Sequence, residues 1–171
     1  IVYYEIVGFE PSGKPIMSGA ENKKVGKDFA KQWGKRTEWT YGCEVGQFDV
    51  YVFRIAMANE DGIVVDYTWE EVKERCEELG VKHVPELFKG TWGELVGDKE
   101  GPFQEDEFAD AILENIDKYY TYGPSKVDPA HIREGVCVNV NKNIYKHKND
   151  AFKILEGMVK DSGVVDEDES S

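Results

Sequence analysis

The sequence predicts an α+β domain with a mostly antiparallel sheet. Three observations carry that reading. Strand-like apolar runs occur at 1–9, 48–57 and 134–140. Two stretches, 68–79 and about 104–120, place apolar residues at helical spacing. No internal repeat and no linker divides the chain. With 171 residues, 40% of them hydrophobic and 12% aromatic, there is enough apolar material for one real core.

In chain order, IVYYEIVGF (1–9) reads as a strand holding Glu5 in an apolar and aromatic setting, and Pro15–Ser18 as a short return strand. Residues 21–36 (ENKKVGKDFAKQWGKR) form a basic island, with Val25, Phe29 and Trp33 at i, i+4 and i+8 beneath a cationic face. Such an island can track a nucleic-acid strand. A solvated helix face over core aromatics is the alternative.

FDVYVFRIAM (48–57) is the clearest strand. Simple alternation puts Tyr51, Phe53 and Ile55 on one side and Val50, Val52 and Arg54 on the other. IVVDY (63–67) follows a turn at 59–62. Thr68 with Glu71 forms a capping box for a helix through Leu79, with Val72, Cys76 and Leu79 inward and Gly80 as its stop. VPELFKGTW (84–92) reads as extended. After Gly101-Pro102, Phe108, Ile112, Ile116 and Tyr119 make the inner stripe of the second helix.

Residues 134–140 (EGVCVNV) and 144–148 (IYKHK) alternate as two strands of a hairpin. With a three-residue loop, Asn141–Asn143, Val138 opposes Lys146 and Val136 opposes Lys148, so Glu134 joins both lysines on one face. With a two-residue loop the lysines instead join Cys137 and Asn139. The first register is the expected one. It crowds three charges onto a largely apolar face, which is costly unless a ligand uses them. A solvated charged hairpin is the alternative.

A formal charge of −13 disfavours bulk adhesion to nucleic acid but leaves room for a local basic groove. Five acids crowd the last eleven residues, so 159–171 is expected to be a disordered tail after a domain spanning 1–158. Cys43, Cys76 and Cys137 are unclustered and odd in number. With no signal peptide or membrane-spanning run, they suggest a cytoplasmic protein without a membrane partner. Ile1 opens in mid-strand, as though a segment upstream were missing.

Four motifs then fall in a telling order: Y-E-I-V-G (4–8), F-R-I (53–55), E-G-V-C-V (134–138) and Y-K-H-K-x-x-x-F (145–152). Together they resemble the later motifs of the covalent nucleotidyltransferases, the ATP-dependent ligases and capping enzymes, and most closely the phage RNA ligases of RNA repair. The resemblance runs from Tyr3 to about Gly157. Tyr4 stands in place of a glycine, Arg54 of an acid and Asn139 of an arginine. The family's nucleophile motif, Lys-x-Asp/Asn-Gly, is absent.

The resemblance implies an adenylation domain that lacks its N-terminal part, in the host cytoplasm if viral. It implies Glu5 on the ribose, Phe53 on the adenine, Glu134 on Mg²⁺ or Mn²⁺, and Lys146 and Lys148 on the α-phosphate. The implied reaction joins an RNA 5′-phosphate to a 3′-hydroxyl, using ATP, through lysyl-AMP and adenylated RNA. A DNA ligase of the same superfamily and a non-catalytic nucleotide- or RNA-binding relative remain open.

Overall fold

The computed structural model describes residues 1–96, 105–140 and 143–158. The Gly101-Pro102 turn, the hairpin tip at 141–142 and the acidic tail at 159–171 lie outside the described residues. The architecture is α+β, with small and mostly antiparallel sheets.

The largest sheet is built on β4 (Phe48–Ala58), with β1 (Val2–Gly8) antiparallel on one side. On the other side β5 (Val64–Asp66) pairs antiparallel and β6 (Lys82–His83) parallel. Two further antiparallel pairs stand apart: β2 (Ala20–Glu21) with β3 (Arg36–Thr37), and β7 (Gly135–Val140) with β8 (Asn143–Lys148).

The register of β1 on β4 carries one irregularity. Tyr3 opposes Arg54 but Tyr4 opposes Val52, so Phe53 is an extra residue. A bulge of this kind resets the alternation. It corrects the expected two faces of β4: Val52 and Ile55 both turn toward α2 (Trp69–Leu79), joining Val72 and Cys76 in one buried cluster. The ring of Phe53 goes the other way, 6.4 Å from that of Tyr3.

α2 begins with the expected capping box of Thr68 and Glu71, and Gly80 closes it in the left-handed region at φ 64°. Leu79, expected inside, is 57% exposed, because this last helical residue lies past the Val52–Cys76 cluster. The Pro15–Ser18 return strand does not form. A single bridge joins Phe9 to Pro15, and proline has no N–H with which to extend a ladder.

The basic island is not one helix. A 3₁₀ turn (Asn22–Lys24) and α1 (Lys27–Trp33) are separated at Gly26, φ 155°. Val25, Phe29 and Trp33 nonetheless all pack against the second core, formed by Ala20, Trp39, Ile132, Phe152 and Leu155. Phe152 and Leu155 come from α5 (Asp150–Leu155).

After the unpatterned stretch 84–91 come α3 (Trp92–Val96) and α4 (Glu105–Ile116). α4 runs into a π turn at Asp117–Thr121. Ile116 is buried as expected, but Tyr119 is 56% exposed. The wider i→i+5 turn carries it off the inner stripe. The side chain of Phe108 lies outside the described residues.

Candidate functional site

The hairpin settles on the two-residue connection. Gly135 opposes Lys148, Val136 His147, Cys137 Lys146, and Val140 Asn143. This overturns the three-residue register: Lys146 and Lys148 share their face with Gly135, Cys137 and Asn139, and Asn143 belongs to β8 rather than to a loop. The opposite face of β8 carries His147, whose Nε2 lies 2.6 Å from Oδ1 of Asp117, tying the hairpin to the π turn.

Strand alternation alone would send Glu134 away from the lysines. Glu134, however, lies one residue outside the ladder and precedes Gly135, whose φ of 154° is open to glycine and to few other residues. A Cβ built at Gly135 would come 2.3 Å from the His147 carbonyl oxygen, so only glycine lets the strands close here. Beyond this kink the Glu134 side chain is within electrostatic reach of Lys148, and also of Glu5 and Glu156. Burial, followed by the repulsion of Glu5 and Glu156, pushes its carboxyl from 4.5 up to about 7, against the pull of Lys148. Among the described residues no donor hydrogen-bonds this carboxyl.

Glu5 reaches this cluster from β1. It opposes Tyr51 and shares a side of the strand with Tyr3, whose ring meets Phe53. The side of the large sheet away from α2 therefore presents Tyr3, Glu5, Tyr51 and Phe53. Glu5 also faces Cys137: that thiol is raised by desolvation, lowered by the opposing Lys146 and raised again by Glu5. Both lysines are exposed. Lys148 Nζ is 3.3 Å from Met158 Sδ and 5.9 Å above the ring of Phe152.

The structure thus gathers Glu5, Glu134 and Lys148 from positions far apart in the chain, with Lys146 beside them at Cys137. Phe53 lies on the same side of the sheet as Glu5 but half-buried against Tyr3. Arg54, where the ligase pattern has an acid, makes a two-pronged ion pair with Asp66 at 2.7 and 2.9 Å and lies 4.6 Å over the Tyr3 ring.

Two contributors escaped the sequence reading. Asn149 caps α5, its side chain accepting from Ala151 N–H at 2.9 Å while its own N–H donates to the Glu134 carbonyl at 2.8 Å. Asparagine ahead of Asp150 at a helix start was the available signal. Glu156 gave none, since it depends on where α5 ends.

Among the described residues no three His, Cys, Asp or Glu side chains are arranged to hold a metal. A partly desolvated carboxylate beside two others still suits Mg²⁺, which keeps several waters and takes one or two carboxylates together with substrate phosphate oxygens. No described helix is long and apolar enough to cross a membrane. Compared with known proteins, the chain matches no family model, no curated protein and no solved structure.

Proposed function

We propose that this chain carries the nucleotide-handling part of an ATP-dependent RNA ligase. The observation that supports it best is the convergence of Glu5, Glu134 and Lys148 on one side of the large sheet. These are three of the residues that the motif resemblance singles out, and Glu5 stands 129 residues before Glu134 and 143 before Lys148 in the chain. In this reading Glu5 accepts from a ribose hydroxyl and the Phe53–Tyr3 surface receives the adenine. Lys148 and Lys146 stabilise charge growing on the α-phosphate oxygens.

Glu134 would hold the divalent ion, which supplies further neutralisation of phosphate charge when bound. In the first chemical step a lysine Nζ bonds to the α-phosphorus, pyrophosphate leaves with the electrons of the broken P–O bond, and the amine proton passes to solvent. No lysine here stands in the Lys-x-Asp/Asn-Gly context, so that lysine has to come from a further segment. The missing nucleophile equally favours the second reading, a nucleotide-binding relative without catalysis.

Calorimetry of the chain with ATP and Mg²⁺ tests the site directly. Binding that weakens at least tenfold in Lys148→Ala and Phe53→Ala but not in the exposed Lys126→Ala supports it. No heat, or equal effects in all three variants, rejects it. Intact-mass measurement should find no added AMP; an adduct would reveal a nucleophile within this chain.

A further inference from the structure

We propose that Lys24, Lys27, Lys31 and Lys35 form a preorganised binding surface for single-stranded RNA. Nine other lysines and arginines among the described residues each reach a carboxylate within 4.0 Å. These four are all exposed, and none of them reaches a carboxylate of the described residues within 4.0 Å. In a chain of net charge −13, residues 21–36 alone carry +4. A polyanion is therefore repelled by most of the molecule and attracted here, which orients its approach.

The face is held in place from beneath. Asn22 is wholly buried and closes the segment on itself. Its Nδ2 donates to the carbonyls of Trp33 and Gly34 at 3.2 and 3.1 Å, and its Oδ1 accepts from Thr37 Oγ1 at 2.7 Å. Its backbone N–H donates to the Lys35 carbonyl at 3.0 Å. With Val25, Phe29 and Trp33 packed into the core, the lysines are displayed without ordering a loop, so less entropy is lost on binding.

Lys27 and Lys31 are one helical turn apart and neighbours on the surface. Phe29 and Trp33 are only half-buried, rings 6.2 Å apart, so aromatic surface borders the cations. Cations bordered by aromatic surface suit a strand whose bases are unpaired rather than a duplex.

The same core links this face to the nucleotide-binding cluster. Phe152 and Leu155 of α5 pack with Val25, Phe29 and Trp33, and α5 begins directly after Lys148 and its cap Asn149. A strand seated on the lysines would thus lie on a segment that packs against the same core as the helix continuing from β8. The choice of RNA over DNA rests on the ligase reading; the surface itself does not.

The test is fluorescence anisotropy of a labelled, 5′-phosphorylated single-stranded RNA of about 12 nucleotides, with ATP omitted. Binding should weaken with salt between about 50 and 200 mM, with a logarithmic slope near −3 for four phosphate contacts at roughly 0.7 each. Changing all four lysines to alanine should weaken binding at least tenfold and flatten the slope. Removing Lys14, Lys89, Lys118 and Lys126 instead should leave both nearly unchanged.

Equal losses in the two quadruple variants, or no RNA binding by the unaltered chain, overturn the proposal. So does binding to anionic phospholipid vesicles but not to RNA. Equal affinity for the same strand in DNA keeps the surface and removes its preference for RNA. Because ATP is absent, failure of the nucleotide site in calorimetry leaves this result standing, and the reverse also holds.

Discussion

The backbone N–H of Asn149 donates to the carbonyl of Glu134 at 2.8 Å, so the residue after Lys148 is fastened to the residue that bears the half-buried carboxylate. The same asparagine is 2% exposed, caps α5 and donates from Nδ2 to the Thr121 carbonyl at 3.4 Å. One side chain therefore holds together the end of β8, the start of α5 and the π turn.

Asn149→Ala should cost about 1–2 kcal/mol, the usual loss for an N-cap. The melting midpoint of the variant against the unaltered chain measures it. An unchanged midpoint would show that α5 is held by Phe152 and Leu155 alone.

Glu134 makes stability depend on pH with a definite sign. Its carboxyl titrates near 7 in the fold against an ordinary 4.5, so between those values the folded state binds more protons than the unfolded one. Stability contributed by the neutral form is present below about 4.5 and declines as pH rises to about 7. The span corresponds to roughly 3 kcal/mol. Glu134→Gln should flatten the melting midpoint over this window and raise it at pH 8. Adding Mg²⁺ with ATP should shift the decline to lower pH in the unaltered chain and not in Glu134→Gln.

Gly135→Ala tests the kink before β7. Its Cβ would meet the His147 carbonyl oxygen at 2.3 Å and the Lys148 Cα at 2.7 Å, both backbone atoms of the paired strand. The expected result is loss of the hairpin's amide protection in hydrogen exchange, at a cost of about 2 kcal/mol or more. Native protection in the variant would mean that β8 can move aside.

The Arg54–Asp66 pair joins β4 to β5 with both side chains about one-third exposed. A double-mutant cycle on Arg54→Ala and Asp66→Ala should give a coupling of about 1 kcal/mol, above the typical surface pair because the geometry is two-pronged. A coupling near zero would assign the role of Arg54 to its contact with Tyr3.

Much of this was legible in the sequence where one local signal decides the structure. Thr68, Glu71 and Gly80 bound α2 because caps and left-handed stops depend on a few neighbouring residues. The strand-like apolar runs became β1, β4 and β7 for the same reason. The hairpin register was not legible, because Asn141-Lys142-Asn143 allows loops of two or three residues. The choice rests on pairings such as His147 with Asp117, thirty residues away. Glu134 and Lys148 still come within reach of each other, through a glycine conformation that alternation cannot anticipate. Tyr119 and Leu79 failed for a related reason: helical spacing does not report where a helix widens or outruns its partner.

The extra residue at Phe53 gives β4 two phases in one strand. Up to Val52 even-numbered residues point at α2; from there on Ile55 does, so the strand changes parity without changing direction. Deleting one residue at this point would restore a single phase. Removing Phe53 itself would leave Tyr3 opposite Arg54 and Tyr4 opposite Val52, so Val52 and Ile55 would still meet α2 and Arg54 would keep Asp66 and Tyr3. What such a deletion would take away is one aromatic ring beside Tyr3, whereas a deletion elsewhere in β4 would turn every residue on one flank to the wrong side of the sheet.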